Sequence, residues 1–172
     1  MAYNFITLAP TALRGNPFQL IGRDWMLVTA GTAASFNTMT ASWGGLGHLW
    51  NRDVSFCFVR PQRYTYGFME RASHYTLTFY DEAHRAALDY CGSHSGRDVD
   101  KVAATGLTPI GDEAGAVYFA EARLVLVCRK LYAGDIVRAG FTDPALPAEL
   151  YPKGDFHRMY VGEIVRCLMR EG

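Results

Sequence analysis

The residues with the clearest chemical potential lie in one short segment, residues 35–45. This segment holds two side-chain N–H donors, Asn37 and Trp43, together with four hydroxyls and two glycines. Buried amides and hydroxyls need hydrogen-bond partners, so such a group is costly in a core unless a polar ligand binds there. A ligand with both a ring and a phosphate would satisfy it. The alternative is a polar β-turn, with Asn37 at a turn position and a Gly-Gly pair after it.

Two further polar blocks carry cations and hydroxyls. Arg60 and Arg63 flank a proline, and Thr65 follows at the predicted start of a helix. Phosphates bind to cations, hydroxyls and backbone N–H groups, so this block is typical of a phosphate contact. Residues 91–101 end in Lys101, whose flexible side chain can reach a ligand from a separate loop. The alternative for both blocks is a solvated, charged surface.

The elements that must position these blocks are strands and short helices. Strand-forming runs cover residues 24–31, 54–59, 74–79, 117–133 (one bent strand or two) and 159–169. Helical spacing covers residues 64–72 and 82–90, and residues 35–45 are expected to form a loop. Strands at short spacing predict a small antiparallel barrel. The sequence contains no G-x-G-x-x-G, so a dinucleotide-binding parallel sheet is not expected.

The composition predicts one globular domain, residues 1–172, with neither a nucleic-acid nor a membrane partner. Basic and acidic residues number 17 each, and no basic cluster of the kind that binds nucleic acid is present. The four cysteines lie far apart and no histidine stands at metal-ligand spacing, so we expect reduced thiols and no metal site. No leader segment and no run of ~20 apolar residues is found, so we expect a cytoplasmic protein.

Four blocks, taken in order, resemble the flavin reductase-like family, the FMN-binding split barrels that include flavoredoxin. They are Asn-x-Met-Thr-Ala-Ser-Trp-Gly-Gly at 37–45, Arg-Pro-Gln-Arg-Tyr-Thr at 60–65, the polar block at 91–101 and Met-Tyr-Val-Gly-Glu-Ile at 159–164. The resemblance spans nearly the whole chain. It implies a mainly β fold with short helices, a split β-barrel, and a homodimer that holds FMN in a groove near its interface.

The resemblance also implies which residues contact FMN. They are Asn37, Met39, Thr40, Ala41, Ser42, Trp43, Arg60, Arg63, Tyr64, Thr65, Cys91, Ser93, Ser95, Lys101 and Tyr160. The block at 37–43 corresponds to the ring and ribityl contacts, and Thr65 and Lys101 to the phosphate contacts. Two of the residues have a structural alternative, Cys91 as a packed thiol at a helix end and Tyr160 as a core aromatic.

The activity implied is transfer of hydride from NADH or NADPH to flavin or to an electron-acceptor protein. Hydride transfer needs orientation more than an acid or base, so no catalytic side chain is expected. His94 is given no role, and His157 is a hypothesis for the nicotinamide side. Two alternatives stay open, a flavoredoxin-type electron carrier and a flavin-binding protein without reductase activity. The choice between NADH and NADPH also stays open because the sequence shows no nicotinamide motif.

Overall fold

The computed structural model describes residues 4–171 of the chain. Ten strands form within these residues: β1 (Phe5–Leu8), β2 (Met26–Thr32), β3 (Ser35–Ala41), β4 (Gly44–Leu49), β5 (Arg52–Val59), β6 (His74–Phe79), β7 (Pro109–Gly111), β8 (Val117–Phe119), β9 (Leu124–Asp135) and β10 (Arg158–Arg170). Five α-helices lie between them: α1 (Pro17–Gly22), α2 (Tyr64–Arg71), α3 (Arg85–Ser93), α4 (Lys101–Thr105) and α5 (Ala145–Leu150). Three short 3-10 turns cover Pro10–Ala12, Glu82–His84 and Arg138–Gly140. Strands dominate and the helices are short, which confirms the predicted fold class.

The main sheet is an open barrel. Eight strands pair antiparallel in the order β3-β2-β6-β9-β10-β5-β4, with β1 added to β10, and β7 and β8 form a separate pair. The edge strands β3 and β4 are consecutive in the chain and are joined only by Ser42 and Trp43. Because so short a connection brings the two edges together at one end, the barrel is split between β3 and β4.

The polar segment at 35–45 is not a loop, and that prediction is wrong. Its first part is β3, paired along its whole length with β2. The hydroxyls are satisfied inside the sheet, since the Oγ atoms of Thr38 and Thr29 lie 2.8 Å apart on neighbouring strands. Alternation along β3 then places Asn37 and Met39 on one face and Thr38 on the other. The run at 117–133 divides into two strands, β8 and β9, one of its two predicted forms.

Helix α2 is held at both ends and along one face. Phe68 and Met69 are buried against the barrel, and the Tyr64 and Phe68 rings meet edge to face at 5.2 Å, one turn apart. At the last turn, the Lys130 ammonium donates to the carbonyl oxygen atoms of Met69 and Glu70, which are free at a helix end. Both α2 and α3 pack against β3, so the start of α2 and the end of α3 meet over this strand.

The core lies on both faces of the sheet. One cluster fills the barrel interior and includes Met26, Tyr75 and Tyr160, while the other lies under α3 and includes Leu88. All four cysteines are buried and unpaired within residues 4–171. Among residues 4–171, none of the helices combines the length and apolar character needed to cross a membrane.

Candidate functional site

Asn37 and Thr65 form the buried polar centre of the predicted site. Asn37 is 7% exposed and Thr65 is fully buried, and Asn37 Nδ2 donates to Thr65 Oγ1 at 2.7 Å. Thr65 lies inside the first turn of α2, while the N-cap is Arg63, which makes no capping bond with its side chain. Thr65 is therefore at the start of the helix, as predicted, but it is not the N-cap. Its hydroxyl accepts from Asn37, which leaves the hydroxyl hydrogen free to donate to another group.

Lys101 is a buried cation directly beside this pair. Its side chain is 6% exposed, and Nζ donates to the carbonyl oxygen atoms of Thr38 and Cys91, each at 2.8 Å. An ammonium has three N–H donors, so one remains for a further acceptor. Burial lowers the pKa of Lys101 to about 8, and the neighbouring Arg63 contributes to the lowering. Lys101 is therefore mostly charged at neutral pH despite its burial.

Arg63 is a second cation that donates to the Cys91 carbonyl oxygen. Its guanidinium donates to the oxygen of Gly92 at 2.9 Å and to that of Cys91 at 3.5 Å. Burial also lowers the pKa of Arg63. Neither Arg63 nor Lys101 forms an ion pair with any carboxylate of residues 4–171. Desolvated charges without a counter-ion are costly, so this site is complementary to an anion.

The backbone of the segment after α3 approaches these side chains closely at Gly96. A Cβ added there would lie 2.0 Å from Asn37 Oδ1 and 3.2 Å from Tyr64 Cδ1. No side chain fits in that space. The close approach of this backbone to Asn37 and Tyr64 therefore depends on glycine. The turn is fixed locally, since the Arg97 N–H donates to Ser95 Oγ at 3.2 Å. The group formed by Asn37, Arg63, Thr65, Cys91 and Lys101 is called the cation cluster below.

A second group, called the His157 cluster, lies at the connection between β3 and β4 and contains Trp43, Arg60, Tyr151, Asp155 and His157. Arg60 pairs with Asp155, and its guanidinium lies 5.1 Å from the Tyr151 ring centre. His157 Nδ1 and the Tyr151 hydroxyl are 2.8 Å apart, and the Trp43 and His157 ring centres are 5.1 Å apart. Burial, together with Arg60, lowers the pKa of His157 to about 4, so the ring is neutral at pH 7.

The structure does not gather the remaining predicted residues in the same way. Met39 and Ala41 are packed in the barrel core, and Thr40 Oγ1 donates to the Leu88 carbonyl of α3. Ser42 is half-buried, and Trp43 is 43% exposed at the split of the barrel. Among these five residues, Trp43 is therefore the one whose side chain is most available to a ligand.

The hydroxyls of Ser93 and Tyr160 bond to residues outside the cation cluster. Ser93 Oγ donates back to the Asp89 carbonyl within α3 at 2.8 Å. Tyr160 is fully buried, and its hydroxyl donates to Glu70 Oε1 near the end of α2 at 2.6 Å. Arg60 is likewise absent from the cation cluster because it pairs with Asp155.

Sequence reasoning missed Arg97 and Tyr151. The Arg97 guanidinium lies over the Tyr64 ring, 4.9 Å from its centre, and Tyr151 bonds to His157. No sequence signal identifies either contact, because neither residue belongs to a local motif with its partner. Two cavities, of about 250 and 1000 Å³, are lined by other residues, the larger by the N-terminal segment and β10.

The fold is shared with solved flavoproteins of low sequence identity. An FMN-binding protein from Thermus thermophilus with bound p-hydroxybenzaldehyde superposes with a TM-score of 0.69 at 21% identity, covering 96% of this chain and 81% of that chain. Flavoredoxin from Methanosarcina acetivorans gives 0.65 at 22%, covering 84% and 67%. An NADH:FAD oxidoreductase from Streptomyces globisporus C-1027 gives 0.63 at 18%, covering 87% and 78%. These likenesses show the fold alone.

The family is shown by the sequence itself. Among curated proteins, none matches the chain. Residues 18–172 match the family described as flavin reductase like domain. That match covers most of the chain and all four blocks from which the resemblance was inferred. The protein is therefore a member of the flavin reductase-like family.

Proposed function

We propose that this chain binds FMN, with the phosphate at the cation cluster, and reduces it with NADH or NADPH as an oxidoreductase. The observation that carries the proposal is that two cations donate hydrogen bonds to one carbonyl oxygen. Lys101 and Arg63 both donate to the oxygen of Cys91, and neither has a carboxylate partner among residues 4–171. A phosphate dianion would supply the missing negative charge in a site where charges are partly desolvated.

The donors in the cluster fit a phosphate. Lys101 keeps one N–H, the Thr65 hydroxyl keeps its hydrogen, and the Arg63 guanidinium has five N–H groups. The N–H groups of Tyr64 and Thr65 are at the start of α2, where a helix leaves its first N–H groups without internal acceptors. These donors come from two elements, Arg63 and Thr65 from the start of α2 and Lys101 from α4. The residues present therefore match the phosphate of FMN in charge and in donor number.

The ring would be held by the residues at the split of the barrel. In this proposal, residues 40–43 contact the flavin ring. The side chains of Ala41 and Ser42 are small, so the ring can approach the backbone there. Backbone amides at the pyrimidine edge of a flavin stabilise the negative charge that develops on reduction. FMN itself would supply the hydride-accepting chemistry, and no proton-transferring side chain is required.

The His157 cluster would form the surface for the nicotinamide. Trp43 and His157 present neighbouring rings, and the low pKa of His157 keeps its ring neutral at pH 7. A neutral ring avoids repulsion of the cationic nicotinamide product. We also propose that the protein acts as a homodimer, with the second copy covering the cation cluster; neither of the two cavities described above is lined by residues of the cluster. We propose an electron-acceptor protein as the alternative final partner of the same site.

The test is an anaerobic visible spectrum of the purified protein with FMN, before and after NADH or NADPH is added. Bound flavin bands that bleach with either nucleotide are the expected result. Bands that persist with both nucleotides would contradict the reductase and leave an electron carrier or a simple flavin-binding protein. A protein that binds no FMN would contradict the cofactor assignment itself.

A further inference from the structure

A third cation lies on the solvent side of the cation cluster. The exposed Arg97 guanidinium is centred 4.9 Å from the Tyr64 ring, and it donates to the Gln62 carbonyl at 3.2 Å. Like Lys101 and Arg63, Arg97 forms no ion pair with a carboxylate of residues 4–171. One carbonyl contact leaves most of its five N–H donors available.

The pair formed by Arg97 and Tyr64 adjoins the proposed phosphate site. Tyr64 is the first residue of α2, between Arg63 and Thr65 in the chain, and it is 36% exposed. A Cβ built on Gly96 would lie 2.0 Å from Asn37 Oδ1 and 3.2 Å from Tyr64 Cδ1, so Arg97 directly follows backbone that lies close to both residues. A ligand whose phosphate lies at the cation cluster therefore reaches Arg97 and Tyr64 if it extends toward solvent.

The chemistry of the pair fits a second phosphate attached to a flat base. Guanidinium N–H groups bind phosphate oxygens, and the guanidinium plane and aromatic faces both stack on nucleobases. FMN has one phosphate and no base beyond it, so FMN bound at the cluster leaves this pair without a ligand. An adenine nucleotide supplies both groups.

We propose that Arg97 and Tyr64 form a subsite for an adenine nucleotide next to the flavin phosphate. This inference rests on the proposed function. The shared chemistry, a phosphate followed by adenine, is found in two sources, the AMP half of FAD and the adenosine diphosphate half of the reductant. The first source makes FAD a tighter ligand than FMN, and the second lowers the KM for NADH or NADPH.

The test compares Arg97→Gln with a matched control, Arg71→Gln. Arg71 is also exposed, belongs to α2 and lies over an aromatic ring, 5.1 Å from the centre of Phe68, but at the opposite end of the helix. FMN and FAD are titrated against both variants and the wild type by quenching of flavin fluorescence. The KM and kcat for NADH and NADPH are then measured with FMN at saturation.

Two results support the subsite and identify its source. In Arg97→Gln, a Kd for FAD raised about tenfold with the FMN value within about twofold assigns the subsite to FAD. Unchanged flavin affinities with a KM for the reductant raised about fivefold or more, at constant kcat, assign it to the nicotinamide nucleotide. In either case Arg71→Gln behaves as the wild type.

Two other results overturn it. Equal losses of FMN and FAD affinity would place Arg97 at the flavin phosphate, and no change in any of these constants would leave the pair without a nucleotide. If the wild type binds no flavin, the proposed function fails separately. The probe is then 5′-ADP alone. Binding of 5′-ADP that Arg97→Gln weakens supports the subsite. No binding, or binding that the substitution leaves unchanged, overturns it.

Discussion

The cation cluster and the His157 cluster differ in how they balance charge. Each contains one arginine from the same turn, Arg63 in the first and Arg60 in the second. Arg60 pairs with Asp155, while Arg63 has another cation, Lys101, beside it and no carboxylate partner among residues 4–171. The two arginines are three positions apart in the sequence, yet one is neutralised within the chain and the other is not.

This difference separates a charge used for structure from a charge available to a ligand. An ion pair within the chain needs no further partner, and its arginine contributes little to binding an external anion. Two partly desolvated cations without a counter-ion repel each other and lose hydration, so they favour an anionic ligand. The comparison therefore favours the cation cluster over the His157 cluster as the place for the proposed flavin phosphate.

The largest expected effect follows removal of the buried cation. Lys101→Gln retains N–H donors for the Thr38 and Cys91 carbonyls but loses the charge. We expect the Kd for FMN to rise about 30- to 100-fold, since a hydrogen bond to a charged group contributes about 1.5–3 kcal/mol. The Kd for riboflavin, which lacks the phosphate, should stay within about threefold. Fluorescence titration measures both, and an equal loss for the two flavins would show that Lys101 supports the fold and not the phosphate.

The same cation predicts how FMN affinity depends on pH. Lys101 has a pKa of about 8 without ligand, and a bound phosphate would raise it. FMN affinity should therefore fall by about twofold from pH 7 to 8 and more steeply above pH 8, by up to about tenfold per pH unit. Riboflavin affinity and the Lys101→Gln variant should show no such fall. An FMN affinity that stays flat up to pH 10 in the wild type would contradict a charged lysine at the phosphate.

The His157 cluster predicts a loss of stability in acid. The pKa of His157 in the folded chain is about 4, below its ordinary value of 6.5, so the unfolded state takes up its proton first as the pH falls. The contribution of His157 is complete above pH 6.5 and is lost toward pH 4, by about 1–2 kcal/mol in the free energy of unfolding. Urea unfolding measures the free energy of unfolding of the wild type and of His157→Asn. The difference between the two values should become smaller as the pH falls. A constant difference between the two proteins would rule out a buried neutral histidine.

The smallest effect is expected at Arg60. Arg60→Gln breaks a partly buried ion pair with Asp155 and should cost about 1 kcal/mol of stability. The Kd for FMN should change by about twofold at most, because the guanidinium is already neutralised. The FMN titration used for Lys101→Gln provides the measurement. A loss comparable to that of Lys101→Gln would restore the sequence-based prediction that Arg60 contacts the cofactor.

Much of the fold was predictable because its signals are local. Alternating apolar residues and β-formers mark β6, and helical spacing marks α2. The order of the four polar blocks predicted the family. The error at β3 has a physical origin. Its hydroxyls are paired across strands, as between Thr38 and Thr29, and a single segment of sequence shows none of those partners.

The sequence could not predict which arginine pairs with a carboxylate, because such pairing also depends on distant residues. Arg60 and Asp155 are 95 residues apart, so their pairing depends on the completed sheet. Lys101 is held by two backbone carbonyls, which every residue carries and which leave no trace in the sequence. The sequence therefore predicted which residues are cations near the site, while only the three-dimensional arrangement separates the neutralised arginine from the available one.

The most direct test of a phosphate in the cation cluster is the phosphorus-31 NMR spectrum of FMN bound to the wild-type protein, recorded from pH 5 to 8. A free phosphate monoester titrates with a pKa of about 6. We predict a bound resonance that is shifted from free FMN and does not titrate across this range, because Lys101 and Arg63 hold the dianion. Bound flavin whose phosphorus resonance matches and titrates like free FMN would contradict the assignment.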